Sequence, residues 1–431
     1  MPACPPVSRR KFLGAGAGGI AALLSSCSMP GLSTGRFNPV AAPFDREVQA
    51  FMDARRVPGG ALAVVKDRRL VYARGYGWAD LENRIPATPQ SLFRIASISK
   101  PVTGVATLRL VEKKRLDLDA KAFELLPENL GPLPGARPDP RLAGITVRHL
   151  LHHTAGWDRD KSFDPMFRPR MIAKAVGSPA PANAGAVIRY MQGQPLDFDP
   201  GARYAYSNFG YCVLGRIIER ATGQSYAQFV RANVLERCGI TDMRIGASLE
   251  GGRVPGEVRY YPNDVTEPVF PAISGKVPWP YGGFHLEAMD AHGGWIASAI
   301  DLARFAAALH DPLDSPLLTE SSFRLMNEPP APPATRQSNG DLEAAFYGCG
   351  WMIRPVERAS RSVGSNAWHT GSLPGTATLL VRRWDGLSWV VLFNQRSGVK
   401  ELPDSAIDPA MHRAAAAVAK WPQHDLFPSY S

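Results

Sequence analysis

A serine three residues before a lysine can supply a nucleophile and the base that activates it. This chain carries the spacing three times, as Ser8/Lys11, Ser97/Lys100 and Ser397/Lys400. Only the second copy opens a long apolar segment. Pro101 follows Lys100, and a proline inside a helix loses a backbone hydrogen bond and clashes with the turn before it. The sequence therefore predicts a helix beginning at about Ala96 to Ser99. Lys100 then projects from the same side of the first turn as Ser97, within reach of its hydroxyl. Val102, Val105, Ala106, Leu108, Leu110 and Val111 follow, apolar nearly all round, which is the pattern of a buried helix.

Further reactive types recur at short spacings. Tyr-x-Asn occurs as Tyr206-Ser207-Asn208, where Asp199-Pro200-Gly201 and an aromatic run lead into a predicted helix, and as Tyr261-Pro262-Asn263 in a proline- and charge-rich loop. Trp368-His369-Thr370-Gly371-Ser372 ends a predicted strand. His149 and His153 stand four apart on a predicted helix, but no glutamate lies between them and no third ligand is evident. They read as structural, and no metal or other cofactor is expected. Trp157, Trp295 and Trp351 are candidate cleft residues, with core packing the reading for at least two.

These groups need elements to hold them. Phe44 to Arg55 reads as a helix. Gly60 to Val65 and Leu70 to Gly77 read as a hairpin turning at Lys66-Asp67-Arg68-Arg69. From Arg115 to about Pro330 the pattern is helical with long loops. Its predicted helices are Val147 to His153, Ala184 to Gln192, Asn208 to Thr222, Ser225 to Cys238 and Ser298 to His310, the last opening with Ser298 and Asp301 as a capping box. Beyond Pro333 strands return at Tyr347 to Ile353, Ala367 to Thr370, Thr376 to Arg382 and Ser388 to Asn394, with Trp384-Asp385-Gly386-Leu387 as a turn. Pro409 to Trp421 closes as an amphipathic helix. Strands at both ends of a helical middle imply an α+β fold. One antiparallel sheet, built from about 44–114 and 334–421 and flanked by the terminal helices, would face a helical lobe of about 115–333. The site would lie between them.

The 431 residues are 45% hydrophobic and 20% charged, an ordinary globular balance. The formal charge of +10 is scattered, without a basic run or aromatic interleaving, so nucleic acid is not an expected partner. The first 26 residues differ in kind. Ser8-Arg9-Arg10-Lys11-Phe12-Leu13 precedes a Gly/Ala/Leu run that is short of the ~20 apolar residues of a membrane span. The segment resembles a twin-arginine export signal. Leu24-Ser25-Ser26-Cys27 resembles a lipoprotein cleavage box, which would make Cys27 a lipidation site ahead of a tether over residues 27–43 and confine membrane contact to that anchor. The other reading of Cys27 is a cysteine beside an ordinary cleavage site. The expected location is the periplasm. Cys212, Cys238 and Cys349 make at most one bridge, so disulfides are not the scaffold.

The order Ser97-x-x-Lys100, Tyr206-x-Asn208, His369-Thr370-Gly371 resembles the penicillin-recognising serine hydrolases of the class C β-lactamase-like branch, which includes D,D-carboxypeptidases, D-aminopeptidases and family VIII esterases. Leu150 to Gly156, Pro255 to Tyr261 and Gly293-Gly294-Trp295 with Asp301-Leu302-Ala303 extend the likeness over Phe44 to Trp421. The resemblance implies an acyl-enzyme on Ser97, with Lys100 or Tyr206 as base and Asn208 bonding Lys100 and the substrate amide. It further implies an oxyanion hole from the backbone N–H groups of Ser97 and Ser372, and substrate contacts from His369, Thr370 and Gly371. In β-lactamases of the branch the His369 position is usually lysine. A histidine there, partly charged near neutrality, implies a pH-dependent esterase or D-amino-acid peptidase rather than a β-lactamase. The reading from another class is a silent envelope protein that binds peptidoglycan fragments.

Overall fold

A computed structural model describes residues 39–336, 343–357 and 363–430, apart from the side chains of residues 357 and 363. The expected export signal and Cys27 lie outside the described residues. The first helix spans Ala41–Arg55 and so takes up the last residues assigned to the tether; Ala41 and Ala42 favour a helix, and Pro43 is tolerated in its first turn.

Both ends of the chain build one antiparallel sheet. Its spatial order is Ile85–Pro86, Arg69–Asp80, Gly59–Lys66, Leu387–Phe393, Thr376–Arg382, Val363–Leu373, Met352–Glu357 and Phe346–Tyr347. Gly59–Lys66 pairs with Leu387–Phe393, Val64 facing Trp389, so the first strand is central and apolar on both faces. The two-residue period divides its side chains. Leu62 and Val64 pack with Phe44, Val48, Met411 and Ala414 of the terminal helices Ala41–Arg55 and Ile407–Ala416. Ala61, Ala63 and Val65 face the larger core shared with Val102, Val105, Leu108 and Phe305.

The central helix, Ser99–Glu112, lies in that larger core. Every residue from Ser99 to Leu110 is buried, as the all-round apolar pattern requires. It packs against Asn208–Thr222, which also contacts the short helix Val147–Leu151. Gly104 lets the Cys349–Gly350 backbone approach: a Cβ there would stand 2.4 Å from the Cys349 carbonyl oxygen.

The departures from expectation have local causes. Ser225 to Cys238 is not one helix. Tyr226–Val230 is α-helical, Arg231–Leu235 is π-helical and Glu236–Cys238 is a 3₁₀ turn, closed by Gly239 at φ 68°. The strand expected over Tyr347 to Ile353 is broken at Gly350 (φ 90°) into Phe346–Tyr347 and the start of Met352–Glu357. The last helix ends at Ala416, short of Trp421, whose ring packs edge-on against Phe44 at 6.5 Å. Val147–Leu151 ends before His153, which has a left-handed φ of 57°. Cys212, Cys238 and Cys349 are free thiols.

Strand Val363–Leu373 meets the turn before the central helix at Gly371. A Cβ there would lie 2.2 Å from Thr378 Oγ1 and 2.3 Å from the Ile95 carbonyl oxygen. Neither neighbour can yield, since Thr378 Oγ1 itself donates to that carbonyl at 3.0 Å. Gly371→Ala is therefore expected to destabilise the protein by about 1–3 kcal/mol through overpacking. Thermal unfolding checks this, and an unchanged Tm would refute the close approach.

Candidate active site

The segment leading to Ser97 is held from two sides. Phe93–Arg94 pairs with Trp295–Ala297, and Ile95 N–H donates to the Trp295 carbonyl at 3.0 Å. From the sheet, Thr376 Oγ1 donates to the Arg94 carbonyl at 2.9 Å, as Thr378 does to Ile95. Arg94 is fully buried and donates to the carbonyls of Pro280 (2.6 Å) and Ala247 (2.7 Å). Tyr260 Oη accepts from Arg94 N–H at 2.9 Å and donates to Glu257 at 2.8 Å, so the Pro255 to Tyr261 segment supports this approach. Between these anchors Ala96 adopts φ 49°, a left-handed conformation that costs an alanine energy. The 3₁₀ turn Ala96–Ile98 then presents Ser97 half-exposed at the start of the central helix.

The expected constellation is assembled around the Ser97 hydroxyl. Lys100 Nζ lies 3.1 Å from Ser97 Oγ, 2.8 Å from Asn208 Oδ1 and 2.9 Å from the His292 carbonyl oxygen. Tyr206 Oη donates to Ser97 Oγ at 2.8 Å. Tyr206 arrives just before the Asn208–Thr222 helix, where Ser207 caps by accepting from Gly210 N–H. Ser8/Lys11 lies outside the described residues, and the copies at Ser397/Lys400 and Tyr261/Asn263 are apart from this cluster. Ser397 bonds within its own turn beside exposed Lys400, and Tyr261 and Asn263 bond Glu82 and Arg396.

Burial sets the protonation states. Lys100 has no exposed surface, and loss of solvent holds its amine well below the ordinary lysine value; Asp164 partly opposes this and Arg159 adds to it. The same cause pushes the Tyr206 phenol above its ordinary value, with the Ser97 hydrogen bond and Arg159 opposing. The two groups are thus driven in opposite directions, towards a neutral amine and a neutral phenol, either side of one hydroxyl.

His369 corrects the expectation of a partly charged imidazole. Its ring is buried, Nε2 lies 2.9 Å from Tyr347 Oη and Nδ1 lies 2.6 Å from the Thr370 carbonyl oxygen. The carbonyl can only accept, so Nδ1 carries the proton and Nε2 accepts from Tyr347. Desolvation above all lowers its pKa to about 3, Lys100 adding to this whenever it is protonated and the Thr370 bond opposing. His369 is therefore neutral at working pH. Thr370 and Ser372 are exposed on the same strand, and Gly371 is buried against Ile95.

Residues outside the expected constellation complete the site. Asp164 accepts from Asn208 Nδ2 at 2.6 Å and so takes up one N–H of the amide expected to serve the substrate. Tyr347 and His153 pack with Tyr206, the ring centroids of His153 lying 4.3 Å from Tyr347 and 4.4 Å from Tyr206. His153 Nδ1 accepts from Ser207 N–H at 3.2 Å, so the Leu150 to Gly156 segment fixes the Tyr206 turn from below. His149 closes the capping box of its helix, as a structural residue does. Trp157, Trp295 and Trp351 are all core residues. The sequence marked His153 as a structural residue of the Leu150 to Gly156 segment and placed Tyr347 in a strand, but it singled out nothing at Asp164. A cavity of about 810 Å³ beside Arg382 and Trp384 is lined by none of the constellation.

Comparison with known proteins adds an independent line. A protein-family model described as Beta-lactamase matches residues 44–409. Penicillin-binding protein 4* of Bacillus subtilis (strain 168) is 26% identical over 356 residues, covering 82% of this chain and 71% of that protein. Esterase EstB of Burkholderia gladioli is 32% identical over 252 residues, covering 56% of this chain; the chain spans 60% of that relative, less than two thirds of its length. The structure of the octameric penicillin-binding protein homologue from Pyrococcus abyssi aligns with a TM-score of 0.66 at 25% identity, covering 89% of this chain and 78% of that one.

His152, His153, His292 and His369 are all buried, and burial lowers the pKa of each, to about 3 for His152 and His369. The unfolded chain takes up protons on these rings below their ordinary value of 6.5, while the folded chain does not. Stability is therefore greatest at neutral pH and falls as pH drops through 6.5, with a limiting slope of about 1.4 kcal/mol per pH unit for each histidine. Denaturant unfolding at pH 7 and pH 5 checks this; equal stability at the two values would show that the folded chain takes up the same protons on these rings as the unfolded chain.

Proposed function

The chain belongs to the Beta-lactamase family, and from that premise we propose that it hydrolyses small-molecule esters or amides through an acyl-enzyme on Ser97. The observation that carries this reading is the Ser97 hydroxyl set between Lys100 at 3.1 Å and Tyr206 at 2.8 Å, two groups whose ionisation burial drives apart. A neutral lysine has two N–H donors and one lone pair. Asn208 Oδ1 and the His292 carbonyl take the donors, which leaves the lone pair for the Ser97 proton. Lys100 is then the base, and Tyr206, held as a phenol, is the proton donor.

In the proposed sequence Ser97 Oγ attacks the substrate carbonyl as its proton passes to Lys100. Backbone N–H groups of Ser97 and Ser372 hold the oxyanion, a role supported by the close packing of Gly371 on Ile95. The carbonyl–leaving-group bond breaks, and the leaving group takes a proton from Tyr206, which recovers one from Lys100. Water then attacks the acyl-enzyme with Lys100 again as base, releasing the acid and restoring Ser97. The neutral His369 favours esters or D-amino-acid peptides over β-lactams as substrates, because no lysine cation stands at that strand position. Against a silent binding protein stands the joint placement of Ser97, Lys100, Tyr206 and Asn208. The Arg9-Arg10 segment and Cys27 support export to the periplasm with a lipid anchor. Membrane fractionation of Cys27→Ser against the unaltered chain tests the anchor.

Ser97→Ala is expected to abolish fluorophosphonate labelling and reduce hydrolysis of p-nitrophenyl esters and of a D-alanyl peptide panel to background. Labelling that persists would sink the acyl-enzyme, and rapid nitrocefin turnover would reverse the substrate order. Lys100→Ala should lower kcat by about 10²–10⁴-fold, the size of a general-base contribution. In the unaltered enzyme kcat/KM should rise with pH as Lys100 loses its proton, well below the ordinary lysine value of 10.5. His369→Gln should leave that limb in place; a limb that moves would make His369 the titrating group.

A further inference from the structure

Strand Thr376–Arg382 runs on into Arg383, and the two-residue period turns these neighbouring arginines to opposite faces of the sheet. Arg383 lies beside the Trp389 ring and pairs with Asp385 at 2.6 Å. Arg382 follows Leu380 towards the larger core and is only 8% exposed. There its Nη2 donates to the Leu309 carbonyl, and its Cζ lies 5.2 Å from the centre of the Phe323 ring and 5.3 Å from that of Trp351. Nε and Nη1 are buried without a hydrogen-bond partner among the described residues, and no carboxylate among them pairs with the guanidinium. Desolvation lowers its pKa to about 9, which leaves it charged at neutral pH. The other buried arginines have acids: Arg109 lies 3.8 Å from Glu112, and the Arg94 charge opposes the effect of burial on Glu257. A buried cation with neither a counter-charge nor a full set of acceptors is a costly arrangement that a bound anion relieves.

Arg382 lines the cavity of about 810 Å³ that lies apart from the Ser97 constellation. That volume falls within the roughly 300–1,000 Å³ of small-molecule sites. Leu313, Phe323, Phe346, Pro355 and Trp384 supply apolar wall, and Leu313 and Trp384 stand 81% and 43% exposed at its rim. The acids of the lining are already engaged: Asp311 accepts from Leu313 N–H at 2.9 Å, and Glu320 lies 3.7 Å from Arg324. His310 is held below its ordinary pKa by burial and by the Arg382 charge, so its ring is neutral at pH 7. Arg382 is therefore the unpaired charge of an otherwise largely apolar chamber.

We infer that this cavity is a second ligand site, which takes a small carboxylate with an aromatic or aliphatic body, the anion on Arg382 and the apolar part against Phe323, Leu313 and Trp384. No residue of the Ser97 constellation takes part in it.

Calorimetric titration of the full chain with cinnamate and with its neutral counterpart cinnamamide tests the inference, alongside the variants Arg382→Met, Ser365→Phe and Ser97→Ala. Arg382→Met removes the cation and keeps most of the bulk; Ser365→Phe, at a half-buried residue of the lining, fills the chamber and keeps the cation. The unaltered chain is expected to bind one equivalent of cinnamate, and to bind cinnamamide about 10- to 100-fold more weakly, the range of a hydrogen bond to a charged group. Arg382→Met should bring cinnamate down to the level of the amide, and Ser365→Phe should abolish binding of both. Thermal unfolding shows whether each variant is folded, and either of the two decides the matter if the other is not. Equal affinity for acid and amide, no binding of cinnamate by the unaltered chain, or binding that survives both cavity substitutions would overturn the inference. Ser97→Ala should bind cinnamate as the unaltered chain does, whether or not Ser97 is acylated in catalysis; loss of binding there would place the probe at Ser97 and overturn the second site.

Discussion

An amine without access to water is the constraint that the rest of this molecule serves. Lys100 sits in a helix whose every neighbouring residue is buried, and an ammonium there lacks the hydration that keeps ordinary lysines charged. The helix must therefore lie in the middle of the protein, between the sheet and the helical lobe. Its first turn must open just enough to show Ser97. The left-handed Ala96, the threonines that hold Arg94 and Ile95, and the glycine that brings the next strand against them are the means by which a reactive turn is kept at the edge of a dry interior. The strain at Ala96 is sustained because bonds from both sides over-determine it.

Much of this was legible in the chain. Pro101 and the apolar run after it marked the central helix to within a residue or two, and the turn residues Lys66 to Arg69 after the apolar run Gly60 to Val65 marked a hairpin strand. Ser298 and Asp301 form the capping box that their spacing implies. The motifs of the constellation were readable because each is local: four residues, three residues and three residues. What escaped the sequence was long-range. Asp164 comes to the site on a loop and Tyr347 on a two-residue strand whose placing depends on packing, and no periodicity announces either contact. The break at Gly350 escaped because an apolar run reads as one strand unless the left-handed turn within it is known.

His369 shows how far residue type alone can mislead. An imidazole at that position suggests partial charge when its ordinary pKa is the guide. In the fold one nitrogen donates to the Thr370 carbonyl and the other accepts from Tyr347, and both contacts suit a neutral ring. The aromatic cluster of Tyr206, Tyr347 and His153 around it excludes the water that protonation would need. A residue that reads as a charge switch is thereby a neutral strut.

The pairing of Gly59–Lys66 with Leu387–Phe393 has a kinetic meaning. Gly59 N–H donates to Asn394 Oδ1 across 335 residues of chain, so the central strand finds its second neighbour only when nearly all of the protein has been made. Until then an apolar strand, buried on both faces in the final structure, has an open edge. Contacts this distant in sequence slow folding and prolong the life of partly folded, aggregation-prone forms. The placement of the C-terminal strands at the middle of the sheet makes Leu387–Phe393 a condition for Gly59–Lys66 to settle, and makes premature termination a route to misfolding rather than to a smaller enzyme.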